Sequence, residues 1–273
     1  MKGLLVLLFL WGSVSDPYDR LVTGDHPVFY WNDASGSDVM ASHRNGVLTN
    51  GPGSAAMPDG DAGIDFNGVD QYMEVPSDPR LSVPATGVLT IEAWLRPDAL
   101  DFEKTEGSGY VYWMGKGAPG QHEYAARLYG QHPTGHDAGR INRISGYAFS
   151  LSGGLGAGSY FQAPADDPVR VGEWIHYVLI INTTDAARSS KYPTGYTKLY
   201  VTRKNAGSGQ IVTKTDQDAL APYRVVPAAG TAPFRVGTRD LGSFFKGAIG
   251  KIAIYNYELG AEQVESHARR MLR

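Results

Sequence analysis

The sequence predicts an all-β fold, two antiparallel sheets packed as a sandwich with one short helix at the C-terminal end. Three observations carry this. About a dozen short segments rich in β-branched and aromatic residues recur along the chain. Across 273 residues, 34 glycines and 16 prolines punctuate those segments at short intervals, as turns between strands require. No long amphipathic helix competes with them; only Ala261 to Met271 places apolar Val264, Ala268 and Met271 at spacings of three to four.

Val171 to Asn182 is the most strand-like stretch. Trp174, His176, Val178 and Ile180 fall on one face, and Ile175, Tyr177, Leu179 and Ile181 on the other. Both sets are largely apolar, which predicts a central strand covered on both sides. The remaining elements follow in order. Pro27 to Trp31 reads as a first strand, followed by the polar turn Asn32 to Asp38. Gly46 to Thr49 is a short strand, and a Gly/Pro-rich loop runs on to Gly60. Ile64 to Phe66 and Gln71 to Val75 flank Asn67-Gly68-Val69-Asp70, and Asn-Gly between apolar runs predicts a hairpin.

Leu89 to Arg96 alternates cleanly. Leu89, Ile91, Ala93 and Leu95 share one face, Thr90, Glu92, Trp94 and Arg96 the other, and Pro97 ends the strand. Tyr110 to Met114 and Glu123 to Tyr129 are further strands, with alternate positions facing opposite sides. Gly130 to Ser145 is polar and predicts a long exposed loop. Gly146 to Leu151 resumes as strand. The glycine-rich run Ser152 to Ser159 predicts a wide turn; no Gly-Lys-Ser/Thr follows, so it is not a phosphate-binding loop. Tyr196 to Arg203, Phe234 to Thr238 and Gly247 to Tyr255 complete the strands. No repeat or linker divides the chain, which predicts one domain over residues 16–273.

Composition excludes several functions. The absence of cysteine removes disulfides, thiol nucleophiles and thiolate metal sites. A net charge of −3 gives no electrostatic basis for nucleic-acid binding. At the amino end, Lys2, the apolar run Leu4 to Trp11, and small Ser13 and Ser15 form the three-part pattern of a secretory signal over residues 1–15. That run is too short to span a bilayer as a stable helix. The expected location is secreted or cell surface. A misassigned start or a buried amino-terminal strand are the other readings of the same residues.

Several stretches, taken together and in order, resemble the LamG-like jelly rolls of the concanavalin A-like lectin/glucanase superfamily. Asp16-Pro17-Tyr18 and Pro27 to Trp31 are similar to the usual opening. Asp33-Ala34-Ser35-Gly36 resembles the Asp-Ser-Ser-Gly turn, and Phe66 to Tyr72 the Phe-Asp-Gly-x-Asp-Asp-Tyr hairpin. Thr90 to Trp94 and Gly172-Glu173-Trp174-Ile175-His176 resemble two of its strands. Phe245 to Ile249 and Ile254 to Leu259 resemble the closing strand and its turn. The resemblance implies a jelly-roll fold, one that hosts lectins, adhesion modules, hydrolases and lyases alike. The chain departs from the pattern twice. Gly250-Lys251 stands where Gly-x-Ile-Asp-Glu has its acids, and Asn67 replaces the hairpin aspartate. Calcium takes oxygen ligands with carboxylates among them. These losses argue against a family-type calcium site and leave Asp33, Asp65, Asp70 and backbone carbonyls as the other ligands on offer. No cofactor is expected.

For chemistry, glycoside hydrolysis needs two carboxylates roughly 5–9.5 Å apart. No strand carries the superfamily's Glu-x-Asp-x-x-Glu, and Glu92 reads as a lone solvated or ion-paired carboxylate. His176 reads as a packed strand histidine. His132 and His136 flank Pro133 and Gly135, which prevents a helical metal-binding face. No Gly-x-Ser-x-Gly nucleophile elbow is present. A uronate lyase would need a Tyr or His base and an Arg to neutralise the carboxylate. Its Gln-x-His motif is absent, because Gln121 and His122 are adjacent. No catalytic or metal residue is therefore assigned. The expected ligand site is the rim formed by the loop after Tyr129, with Gln121, His122, Tyr124, Arg127, Arg140 and Arg143. Arginine forks suit carboxylate or sulfate groups, so an acidic glycan is the expected partner. Tyr112, Trp113, Tyr160 and Phe161 are the expected surface aromatics. The sequence favours a non-catalytic carbohydrate-binding or adhesion module. A polysaccharide-active enzyme and a structural component of a cell surface or virus tail remain as alternatives.

Overall fold

The computed structural model describes residues 17–273, so the predicted signal segment 1–15 lies outside the described residues. The chain opens with helix α1 (Pro17–Gly24). Strands β1 (Phe29–Trp31), β2 (Val47–Thr49), β3 (Gly53–Ala56), β4 (Ala62–Asn67) and β5 (Tyr72–Val75) follow. Then come β6 (Val88–Pro97), β7 (Tyr110–Lys116), β8 (Tyr124–Tyr129), β9 (Ile144–Ala148) and β10 (Ala157–Phe161). The last strands are β11 (Ile175–Asn182), β12 (Tyr196–Lys204), β13 (Ile211–Ala219), β14 (Phe234–Val236) and β15 (Lys246–Tyr255), before helix α2 (Ala261–Leu272).

Two antiparallel sheets result. The first has eight strands in the order β13-β12-β11-β6-β15-β4-β3, with β1 also paired to β15. The second has seven, β10-β9-β8-β7-β14-β5-β2. The main core lies between them. Leu89, Ile91, Ala93 and Leu95 of β6 and Ile175, Tyr177, Leu179 and Ile181 of β11 face it from the first sheet. Trp113, Tyr124, Leu128 and Phe234 face it from the second. On the far side of the first sheet, Trp94, Val178 and Ile180 pack against Tyr18 and Val22 of α1 and Val264 and Met271 of α2. The central position expected for β11 is therefore observed, with all eight residues buried.

Four expectations need correction. Asn67 to Asp70 is not a hairpin: β4 belongs to the first sheet and β5 to the second. The turn is a corner between sheets. Asn67 Oδ1 accepts the Val69 and Asp70 amides, and Gly68 sits at φ 81° with no room for a Cβ beside Lys246. The second correction is α1. Pro17 and Asp19 in its first turn suit a helix start, and it buries Tyr18 and Val22, one turn apart. Third, β3, β10 and β13 were not foreseen. The glycine-rich turn ends at Gly156 and strand begins at Ala157. The edge strand β13 is too polar and half-exposed to show a strand's apolar rhythm. Fourth, Glu92 is ion-paired but fully buried rather than solvated.

Candidate functional site

The outer face of the second sheet, away from the core, is not apolar. Strand alternation in β8 sends Tyr124, Ala126 and Leu128 inward and Arg127 outward. In β7 the register slips between Tyr112 and Met114, so Trp113 and Met114 both enter the core. Tyr110 and Tyr112 are left on the outer face. Tyr147 and Phe149 follow β9 onto the same face.

Together these side chains line a cleft of about 480 Å³. Its rim is completed by Arg140 and Arg143 from the loop before β9, by Leu155 in the glycine-rich turn, and by Tyr160 and Tyr223. Leu155, Tyr160 and Tyr223 are exposed. Gly158 leaves space for the Tyr147 ring; a Cβ there would stand 2.5 Å from its Cδ1. No carboxylate lines this cleft.

The charges are unusual. Arg127 is only 9% exposed. Its guanidinium lies 4.2 Å from the Tyr147 ring centre, 4.6 Å from Tyr110 and 4.9 Å from Tyr129. Its Nε is buried without a hydrogen-bond partner, and among the described residues no carboxylate pairs with it. Burial opposes its charge, but the surrounding tyrosines outweigh that and hold its pKa above the ordinary value. Arg143, also 9% exposed, stacks 3.8 Å over Tyr160 and donates from Nε to Gln162 Oε1 at 2.7 Å. It too has no carboxylate partner among the described residues. Arg140, in contrast, is paired with Asp137 at 2.7 Å and donates to the Tyr129 hydroxyl at 2.9 Å.

The structure thus brings Arg127, Arg140 and Arg143 into one cleft and leaves the other expected residues outside it. Tyr124 is fully buried in the core, its hydroxyl donating to the Leu81 carbonyl at 2.8 Å. It has the opposite strand parity from Arg127, and this removes it from the surface. Gln121 Oε1 accepts from the Thr231 and Ala232 amides at 2.7 and 3.0 Å, tying down that loop. His122 packs on Phe149 with ring centres 5.9 Å apart. Burial, then Arg239, lowers its pKa. Of the expected surface aromatics, Tyr112 and Tyr160 line the cleft, and Trp113 and Phe161 are in the core. Sequence reasoning missed Tyr110, Tyr147 and Arg239, whose guanidinium stacks 3.8 Å over Tyr112. Matching strand parity across β7, β8 and β9 was the signal that could have found the tyrosines.

A larger hollow of about 690 Å³ lies between α1 and α2, lined by Arg20, Arg269, Arg270 and Arg273 with Glu262 and Glu265. All six of these side chains are exposed. Water already solvates their charges, unlike the buried guanidinium groups of the cleft.

Two of the three residues on offer for calcium are otherwise engaged. Asp33 Oδ1 accepts from the Ser35 amide and hydroxyl, and Asp70 from Asn67. Asp65 stands near Asp98 and Arg96, and unlike the other two its Oδ1 is buried without a hydrogen-bond partner. As the chain stands, among the described residues no group of three or more His, Asp or Glu side chains could hold a metal ion; the converging carboxylates of Asp19, Asp59 and Asp61 are already filled by the Lys251 ammonium. No helix among them is long and apolar enough to cross a membrane.

Comparison with known proteins agrees with this architecture. Residues 67–265 match the third laminin G family, described as concanavalin A-like lectin/glucanases superfamily. No curated protein matches the sequence. Among solved structures, domain 4 of AbnA, an extracellular arabinanase from Geobacillus stearothermophilus, was determined with arabinotriose. It aligns at TM-score 0.53 and 16% identity over 89% of this chain and 98% of that domain. The ligand-binding domain of botulinum neurotoxin serotype D, determined with N-acetylneuraminic acid, aligns at TM-score 0.57 and 10% identity. That alignment covers 91% of this chain and 52% of the toxin domain, so the chain spans about half the length of such domains. At these identities the likeness concerns the fold. The two-sheet sandwich and the match over most of its length place this chain in the laminin G branch of the concanavalin A-like lectin/glucanase superfamily.

Proposed function

We propose that the chain is a non-catalytic carbohydrate-binding or adhesion module of a secreted or surface protein, and that the Tyr/Arg cleft takes an acidic glycan. The observation that carries this is Arg127: a guanidinium nine-tenths buried, boxed by three tyrosines, with no carboxylate in ion-pair contact among the described residues. Asp137, the carboxylate whose charge reaches it, is itself paired with Arg140. The rings hold the charge, but they leave Nε without the hydrogen bond a buried polar group calls for. An anionic group entering the cleft would supply that bond, and Arg143 stands on the same rim to share the anion. The exposed face of Tyr160 offers a ring for a pyranose to stack on. The sugars seen on the arabinanase domain and the toxin domain support a glycan reading for this fold. The cleft lining offers no acid/base pair for glycosidic cleavage. Tyr110, beside Arg127, is held well above the ordinary phenol value by burial and then by Tyr112, which makes it a poor base for a lyase.

The test is calorimetric titration of a uronate oligosaccharide and of its carboxyl-reduced counterpart. A hydrogen bond to a charged group contributes about 1.5–3 kcal/mol, so the acidic form should bind roughly 10- to 150-fold tighter. Arg127→Met should remove that preference while keeping most affinity for the neutral form. Equal affinity for both forms, or an unchanged preference in Arg127→Met, rejects the reading.

A further inference from the structure

The sequence departure at Gly250-Lys251 acquires a meaning in three dimensions. The register of β15 on β6 slips between Gly250 and Ala253, and Lys251 sits in that irregularity at φ 52°, in the left-handed region. A lysine rarely adopts this conformation. Its side chain is fully buried, which is also rare for a lysine. Both costs are accepted at one position, so the ammonium must be held strongly.

Three carboxylates hold it. Lys251 Nζ lies 2.7 Å from Asp19 Oδ1 on α1 and 3.2 Å from Asp59 Oδ2, and it makes a short contact with Asp61 Oδ2. Asp19 and Asp59 side chains are 9% and 5% exposed. Asp59 Oδ2 has no partner besides the ammonium, and its Oδ1 accepts from the Asp61 amide at 3.1 Å. Asp19 is oriented from behind by the Tyr30 hydroxyl at 2.5 Å and by Asn32 Nδ2 at 2.8 Å. One positive charge therefore faces three carboxylates whose oxygens converge on a single point. Convergent hard oxygens of this kind, drawn in to about 2.3–2.6 Å, are the ligand set of calcium.

We infer that Lys251 is a resident cation: its ammonium fills a three-carboxylate cradle that would otherwise take a divalent metal, and the fold is thereby made independent of calcium. The cradle joins α1, the turn before β4 and the closing strand β15. In a metal-bound form those three segments would come apart when the ion was removed; here the cross-link is built into the chain. The cradle lies on the first sheet and the cleft on the second, so this inference stands apart from the glycan reading.

The experiment compares the full chain with Lys251→Ala in EDTA and in calcium, by thermal melting and by terbium luminescence. Tyr18, whose ring centre is 5.8 Å from Nζ, can sensitise a lanthanide placed there. The wild-type chain should melt at the same temperature in both buffers and give no saturable terbium signal through this site. Lys251→Ala should melt lower in EDTA and gain a saturable terbium signal. Calcium at a hundredfold excess over its Kd should raise its melting temperature by about 5–10 °C. Adding Asp59→Asn should abolish the gain. A wild-type calcium response that Asp59→Asn removes would overturn the inference, as would a Lys251→Ala chain blind to calcium. If Lys251→Ala is not recovered in EDTA, recovery by refolding in calcium supports the inference. Failure of both Lys251→Ala and Lys251→Gln to refold in calcium overturns it.

Discussion

Replacing Glu92 with glutamine should cost this fold heavily. The Glu92 carboxylate is fully buried on the outer side of the first sheet, beneath both helices. Oε1 accepts from Tyr18 at 3.0 Å and His267 Nδ1 at 3.0 Å and lies 2.6 Å from His176 Nε2; Oε2 accepts from Tyr255 at 2.8 Å. Tyr18 belongs to α1 and His267 to α2, so one carboxylate fastens both helices to the sheet. His267 Nε2 also lies 3.0 Å from Asp25 Oδ2. Donating from both ring nitrogens requires the imidazolium. Burial disfavours that charge, but Glu92 and then Asp25 outweigh it and raise the His267 pKa. Burial likewise opposes the Glu92 charge, and His267 and His176 outweigh it and hold its pKa well below the ordinary value.

Glu92→Gln removes one partner of a buried ion pair and turns an amide donor toward groups that already donate. Breaking such a pair costs about 3–5 kcal/mol. For a chain of this size that lowers the melting temperature by roughly 6–20 °C. The pH dependence has two limbs. The His267 contribution is fully present below its unfolded value of about 6.5 and is lost as pH rises through the raised folded value. The Glu92 contribution is present above the unfolded carboxylate value of about 4.3 and is lost as pH falls through the depressed folded value. Melting curves of wild type and Glu92→Gln from pH 4 to 9 should therefore converge as pH rises above the His267 value. A Glu92→Gln chain within 2 °C of wild type at pH 6, or a gap that widens with alkaline pH, would show that the carboxylate does not fasten the helices.

Gly158→Ala should displace the Tyr147 ring, since its Cβ would fall 2.5 Å from Cδ1. The same Cβ would meet the Gly146 carbonyl at 2.8 Å, so the melting temperature should fall as well. Glycan affinity of the folded fraction should drop severalfold, and unchanged affinity would remove Tyr147 from the site. Tyr160→Ala strips the aromatic surface under Arg143 and the exposed stacking face. It should weaken acidic and neutral oligosaccharides alike, by about 1–2 kcal/mol if the cation–π contact and the stacking face are both lost; a loss confined to the acidic ligand would assign Tyr160 a purely electrostatic role.

The strands that bury both faces were legible because one face of each is wholly apolar, and in β11 the other mostly so: β6 and β11 sit as their alternation requires, with opposite parities in the two cores. The Asn67-Gly68 turn was misread because the local chemistry of a tight turn is the same whether the next strand returns to its own sheet or crosses to the other. Strand β13 escaped because its polar sequence pays no apolar signature for the one neighbour it has, β12. In the candidate site, the arginines were legible as a cluster of charge next to a long loop. Their company was not. Tyr124 and Arg127 are three residues apart on a strand and face opposite sides, so sequence proximity grouped residues that the pleat separates. The partners of Arg127 come from β7 and β9, and only the register of three strands puts Tyr110 and Tyr147 beside it. The Lys251 cradle was visible only as missing acids, since Asp19, Asp59 and Asp61 lie some 190 or more positions away in the chain.

The most direct test of the cleft is a crystal structure of the chain soaked with a uronate tetrasaccharide. The account requires a carboxylate oxygen within hydrogen-bond distance of the Arg127 guanidinium and a sugar ring against Tyr160. A saccharide bound in the hollow between α1 and α2, or in the cleft with its carboxylate turned to solvent and Arg127 untouched, would contradict it.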